Sequence, residues 1–315
     1  MPDTFSKSVS EPDELLPLTS DLVFKQVLGQ EESKPILMEF LNDILNLNIQ
    51  SPDQLILQNP NIDREHQTDK LSTLDIRVQL ENRTSIDIEV QVINEHNIEP
   101  RALYYTCCLC AEQLQKGEDY ILLRPSIGLN LLLFDLDKKD NYYRSYVLKD
   151  KITNKEYPPL FEIAFLELSK GRRLLSGKKD LPLSKKDLWI LFLTAKNKEV
   201  QKRMAEQNTT FQAAYDRLVT ASSDEELRIQ YFNREKALRD WNSSINAATR
   251  IGEERGRKIG EEHGRKIGEE RGRQIGEKRF ALLTDKLLSD ERFDDLHQAI
   301  NDDDIRAALY KEYDI

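Results

Sequence analysis

Cysteine is scarce in this chain of 315 residues, and the three present, Cys107, Cys108 and Cys110, are crowded together. With no distant partner for any of them, a disulfide framework is excluded and a reducing compartment fits. Histidine is as sparse. His66, His96, His263 and His297 stand at zinc-ligand spacing neither from one another nor from the cysteines, so the thiols are expected to be small buried packing residues. No apolar run approaches the roughly 20 residues of a membrane span, and Met1 to Glu14 is polar and acidic rather than signal-like. The expectation is a soluble, cytoplasmic protein with no membrane partner and no organic cofactor. Positive charge is also in deficit, with 46 Lys and Arg against 56 Asp and Glu and a formal net charge of -10. Phosphate binding runs on Lys and Arg releasing counterions, so any nucleic-acid contact is confined to local basic patches. Three are candidates, each equally readable as a solvated face: Lys149 to Lys155; Lys170 to Arg173 with Lys178 and Lys179; and Lys185-Lys186.

What the chain does have is a short amphipathic hairpin, Leu74-Asp75-Ile76-Arg77-Val78-Gln79-Leu80 followed by Ile86-Asp87-Ile88-Glu89-Val90-Gln91-Val92. Each half alternates apolar and polar with period two and reads as a strand with one buried face. Every apolar side chain stands at an even number and every polar one at an odd number. With Asn82, Arg83 and Thr84 as the loop, Asp75 falls opposite Gln91 and Arg77 opposite Glu89, with all polar groups on one face. Opposed Cβ atoms lie about 5 Å apart and diagonal ones about 7 to 8 Å, close enough for Asp75 and Glu89 to grip one ion. A wet sheet face would alternate in the same way. Two carboxylates and an amide, followed at once by a helix carrying Arg101 and Tyr105, point instead to a hard cation such as magnesium.

These residues carry a family resemblance. Ser20-Asp21-Leu22-Val23-Phe24-Lys25, Leu74-Asp75-Ile76, Ile88-Glu89-Val90-Gln91, Arg101 with Tyr104-Tyr105, and Gly117 with Tyr120 together resemble the Rpn, or transposase-like, branch of the PD-(D/E)XK nuclease superfamily, over about the first half of the chain. The resemblance implies an α/β fold, a mixed β-sheet flanked by helices in the restriction-endonuclease-like manner, followed here by a helical carboxy-terminal region. It implies a metal-dependent DNA endonuclease associated with recombination or mobile elements, using Mg2+ with Mn2+ as a possible substitute. Asp75, Glu89 and Gln91 would be catalytic. Asp75, Glu89 and the Val90 carbonyl would hold the metal, with Asp21 completing the shell, and Arg101, Tyr105 and Lys25 would meet substrate phosphate. Gln91 stands where the superfamily has lysine, which leaves Arg101 or Lys25 as the source of positive charge. The alternative is a catalytically decayed nuclease fold that acts as a scaffold and oligomerises through its carboxy-terminal repeat.

Along the rest of the chain, helices are expected over Asp21 to Leu28, Lys34 to Leu45 and Glu99 to Lys116, the last stopped by Gly117. Strands are expected at Leu55 to Leu57, Asp119 to Arg124, Gly128 to Leu136, Tyr142 to Leu148 and Leu160 to Leu168. Beyond Gly171 the pattern turns helical, over Ser184 to Ala195, Glu199 to Glu206, Thr210 to Ser222 and Glu225 to Ala247. The expected organisation is a tail at 1–13, the nuclease-like core at 14–170, a helical extension at 171–247, a charged repeat at 248–279 and a carboxy-terminal helical element at 280–315. The repeat has period eight, with Ile251, Ile259, Ile267 and Ile275 in phase and glycine at every fourth position from Gly252 to Gly276. A helical glycine costs about 1 kcal/mol relative to alanine. The tract therefore reads either as a flexible linker or as a helix stabilised by close approach of a second one, and a homo-oligomer, a dimer, is expected. The amphipathic tail, with Leu283, Leu287, Phe293, Leu296 and Ile300, reads as an assembly or regulatory element.

Overall fold

The computed structural model describes residues 12–58, 76–176 and 182–315. Asp75, His66, Lys178 and Lys179 lie outside the described residues. Up to Glu235 the chain forms one compact unit built on a six-stranded mixed sheet in the order β1-β2-β3-β4-β6-β5. The strands are β1 (Leu55–Gln58), β2 (Ile76–Leu80), β3 (Ser85–Gln91), β4 (Ser126–Leu132), β5 (Tyr143–Val147) and β6 (Phe161–Glu167). β3, β4 and β6 run parallel in the centre, and β1, β2 and β5 are antiparallel additions toward the edges.

A parallel pair needs a long crossover between its strands, and both faces of such a sheet must be covered. Helix α3 (Ile98–Ala111) is the β3–β4 crossover. On its side of the sheet Ile98 and Ala102 pack with Leu132, Ile163 and Phe165. The opposite face, where Ile86, Ile88, Val90, Ile127, Leu129 and Leu131 point, joins the main core under α1 (Asp21–Leu28), α2 (Lys34–Leu45), α5 (Lys185–Leu193), α6 (Lys198–Gln207) and α7 (Thr209–Ser223). Both faces of β3 are thus covered, and Ser85 through Val90 are all buried. Helix α5 is anchored in this core by its aromatic residues. Trp189 packs edge-on against Phe40 and Phe211, at 5.1 and 4.8 Å, and its indole N–H donates to Asp43 Oδ2 at 2.9 Å.

Several expectations are corrected. The β2–β3 loop holds three residues, but they are Glu81, Asn82 and Arg83, closed by Leu80 N–H donating to the Thr84 carbonyl. Arg83 takes the left-handed conformation, φ 66, that ends a three-residue hairpin loop. Closing one residue early puts Arg77 opposite Asp87 rather than Glu89. The odd-numbered residues still share a face. Asp119 to Arg124 is no strand. It holds a single 3-10 turn at Tyr120–Leu122, with Tyr120 and Ile121 exposed, because Gln113 exchanges hydrogen bonds with Arg124 and holds the segment against the end of β4. Helix α3 stops at Ala111, so Gly117, with φ 92, serves a later turn. Leu168–Ser176, expected as the end of a strand followed by a basic patch, is helix α4.

Gly128 on β4 shows how tightly α3 sits. A Cβ there would lie 2.3 Å from Thr106 Oγ1, and Thr106 is pinned by donating to the Ala102 carbonyl at 2.7 Å. Gly128→Ala is expected to cost about 1 to 3 kcal/mol through overpacking. Thr106→Ala in the same chain should restore most of it, as a double-mutant cycle of urea midpoints will show.

Residues 236–315 form a second unit. The glycine tract lies inside α8 (Glu225–Ser289), a helix of 65 residues. Past it, α9 (Phe293–Asn301) and α10 (Asp303–Glu312) fold onto the last turns of α8 and bury Leu283, Leu287, Ala299 and Leu309. No described helix is long and apolar enough to cross a membrane.

Candidate active site

The side chains of the odd-numbered β3 residues face α3, and Glu89 is at the centre of what they build. Its carboxylate is 4% exposed. Gln91, two residues on and so on the same face, donates Nε2–H to Glu89 Oε2 at 3.1 Å. From the first turn of α3, Arg101 brings Nε within 3.5 Å of the same oxygen. Oε1 receives no hydrogen bond from the described residues. Burial pushes the Glu89 carboxyl above its ordinary range, opposed by the positive charge of Arg101 and by the Gln91 hydrogen bond. The Arg101 guanidinium stacks 5.3 Å from the centre of the buried Tyr105 ring, one helical turn further on. The i, i+4 spacing puts both on one side of α3. At its other end α3 is tied to the hairpin by Arg77, whose guanidinium pairs with Glu112 at 2.6 Å.

Four of the expected site residues, Glu89, Gln91, Arg101 and Tyr105, therefore come together, with Val90 between the first two. Asp21 and Lys25 do not join them. Both belong to α1, which packs on the other face of the sheet. Asp21 is ion-paired with Arg234, and Lys25 forms no ion pair among the described residues. Of the two candidate cations, Arg101 is the one beside Glu89. Asp75 lies outside the described residues.

The expected basic patches are mostly spent on internal contacts. Lys170 is buried against Glu167, and Arg172 donates to the Thr194 carbonyl. Arg173 pairs with Asp135 at 2.5 Å. Lys185 pairs with Asp43 at 3.0 Å, and Lys186 sits 4.0 Å over the Tyr143 ring. In the 149–155 segment Lys149 pairs with Glu156 at 3.2 Å. The cysteines are not packed away as expected: Cys107 is exposed, and Cys108 and Cys110 are half-buried. Leu109 and Tyr105, rather than the thiols, turn toward the sheet.

A family model for the PD-(D/E)XK nuclease family transposases matches residues 18–248. The chain belongs to that family. No curated protein and no solved structure gives a significant match. Nucleases of the PD-(D/E)XK family generally use divalent metals, so the donor set must be tested for one. Among the described residues no group of three His, Cys, Asp or Glu side chains could hold an ion. What stands at the site is the Glu89 carboxylate, whose Oε1 receives no hydrogen bond from the described residues. An oxygen donor of this kind, completed by water and substrate, would suit a hard divalent cation rather than a soft metal.

One residue here escaped the sequence reading. Asn130 pairs with Glu89 across the parallel β3–β4 ladder and is 3% exposed. The signal was an amide within the run Gly128-Leu129-Asn130-Leu131-Leu132, a strand otherwise free of polar side chains after Ser126.

Proposed function

We propose that this PD-(D/E)XK family member is a divalent-metal-dependent endonuclease that hydrolyses DNA phosphodiester bonds. The observation that carries the reading is the buried Glu89 carboxylate, held by Gln91 and Arg101 on a central strand of the family's sheet. Asp75 is covalently next to Ile76, whose partner across the hairpin is Ile88, the neighbour of Glu89. Asp75 is accordingly assigned as the second acidic ligand, beside Glu89 and the Val90 carbonyl. A bound Mg2+ or Mn2+ would lower the pKa of water and neutralise charge developing on the scissile phosphate. Gln91 orients the attacking water. Arg101, beside Glu89 and backed by the Tyr105 ring, supplies the positive charge that a lysine at position 91 would have given, and reaches for phosphate. With its carboxylate committed to Arg234, Asp21 is left out of this assignment, and so is Lys25.

The test is cleavage of plasmid DNA in Mg2+ by the full chain and by its Asp75→Ala and Glu89→Ala variants. Cleavage by the wild type that both substitutions abolish is the expected result. Undiminished cleavage by both would remove the site assignment. Silence of the wild type across several metals and DNA forms would favour a scaffold built on a decayed nuclease fold.

The same reading includes a second copy of the chain along α8. Seven glycines, Gly252 to Gly276, cost the helix about 7 kcal/mol at 1 kcal/mol each. The five i, i+4 pairs of Arg257–Glu261, Lys258–Glu254, Arg265–Glu269, Lys266–Glu262 and Arg273–Glu277, with the i, i+3 pair of Arg273–Glu270, return about 1 to 3 kcal/mol in all. Among the described residues nothing beyond the helix's own adjacent backbone lies within 4 Å of where a Cβ at any of these glycines would be, which leaves room for a partner backbone. Gly264→Leu should lower the self-association of the full chain in sedimentation equilibrium. An unchanged assembly state, or a wild-type monomer, would rule this pairing out.

A further inference from the structure

Asn130 is a buried polar side chain of the central sheet, register partner of Glu89, that takes part in no ion pair among the described residues. The two residues are register partners on adjacent parallel strands, whose axes stand about 4.8 Å apart, and both face α3. Asn130 is 3% exposed. Its Nδ2 donates two long hydrogen bonds, to the Gly128 carbonyl at 3.4 Å and the Ala164 carbonyl at 3.3 Å. Those two acceptors fix the orientation of the amide, since the reversed group would set its oxygen against both carbonyls. Oδ1 receives no hydrogen bond from the described residues. On the same side of the sheet Leu132 and Phe165 already belong to an apolar cluster with Ile98 and Ala102, so a leucine at 130 would extend existing packing. Structural economy alone would have put one there.

We propose that Asn130 is a positioning residue of the metal site, its Oδ1 accepting a hydrogen bond from the water that completes the cation's shell beside Glu89. This role rests on the metal-dependent reading of Glu89 given above. Groups just outside a metal's direct ligands typically govern affinity by 10- to 100-fold. The amide oxygen suits the task because it accepts without adding a second buried charge next to a carboxylate already raised by burial.

The test is titration of the full chain with Mn2+, following free ion by electron paramagnetic resonance, for the wild type, Asn130→Leu, Asn130→Asp and Glu89→Ala, each with a thermal melt. Asn130→Leu should bind Mn2+ about 10- to 100-fold more weakly while melting no lower than the wild type. Asn130→Asp, which keeps an acceptor oxygen at the position, should bind at least as tightly as the wild type, and it carries the test if the leucine variant fails to fold. Wild-type binding that Glu89→Ala abolishes and Asn130→Leu leaves within twofold would overturn the role of Asn130 alone. A wild type that binds no Mn2+ would overturn the metal-dependent reading and this role together.

Discussion

Glu89→Gln is expected to lower DNA cleavage by about 10³-fold and, at neutral pH, to make the protein more stable. The first effect follows from the loss of the charged metal ligand that the proposed function assigns to Glu89. Metal stabilisation of transition-state charge amounts to several kcal/mol, and about 4 kcal/mol corresponds to three decades in rate. The second effect follows from the direction in which the Glu89 carboxyl is displaced. It sits above the ordinary value of 4.5, with burial as the largest cause. The native state therefore holds this proton at pH values where the unfolded chain has released it. Where the native state binds more protons than the unfolded state, stability falls as pH rises. The loss begins near pH 4.5, grows up to the native-state value and persists at pH 7. Glutamine has no charge to bury, so the variant should gain at pH 7 and the gain should vanish on acidification below about pH 4.5. Arg101 does not reverse the sign, because its side chain is 32% exposed and can take water in place of the carboxylate. Urea midpoints of both proteins at pH 4 and pH 7, beside cleavage rates at pH 7, give the four numbers needed. A variant less stable than the wild type at pH 7 would mean that the Arg101 pair outweighs the burial of Glu89.

Much of this was legible in the sequence, for reasons that differ by element. The alternation of β2 and β3 and the helical spacing of α2 are local signals, and they specified the elements and the apolar face correctly, but β3 is buried on both faces rather than the one expected, because α3 covers its polar side. Parity gave the polar face, because a three-residue loop keeps odd residues together wherever it closes. The register itself was not legible. It depended on whether Arg83 or Thr84 would take the left-handed position, which hydrophobic pattern does not encode. Tyr120 and Ile121 look like strand residues, yet Gln113 holds their segment at the surface, and that contact joins two elements across space. Asn130 could be seen as an anomaly in β4 but not as the neighbour of Glu89, since a parallel partner 41 positions away is fixed only by the crossover. The basic residues misled for the same reason. Lys170 and Arg173 appear in sequence as a patch, and only the fold shows their acidic partners.

Lys170→Ala carries the other large expectation, a loss of about 3 to 5 kcal/mol of folding stability. Removing one partner of a buried ion pair leaves the remaining charge without compensation, and that asymmetry sets the magnitude. Lys170 and Glu167 have side chains 2% and 0% exposed and meet at 2.6 Å. Asp137 also approaches Lys170 Nζ, at 3.3 Å. Without the lysine, Glu167 keeps the Leu136 backbone N–H at 2.7 Å and an Arg144 guanidinium at 3.6 Å, too few and too distant to hold a fully buried carboxylate. Glu167→Leu combined with Lys170→Met removes both charges and replaces them with apolar volume, and is expected to recover more than half of the loss. The site has a stake in this pair. Glu167 is level with Leu132 on β4, and Leu132 with Gln91 on β3, so the ion pair anchors the same end of the parallel strands that presents Gln91. Lys170→Ala should therefore reduce cleavage at 37 °C by depleting folded protein, and should leave the rate per folded molecule within a few fold of wild type at a temperature where both are native. A full loss of that rate in folded protein would move Lys170 from the support of the sheet into the site itself.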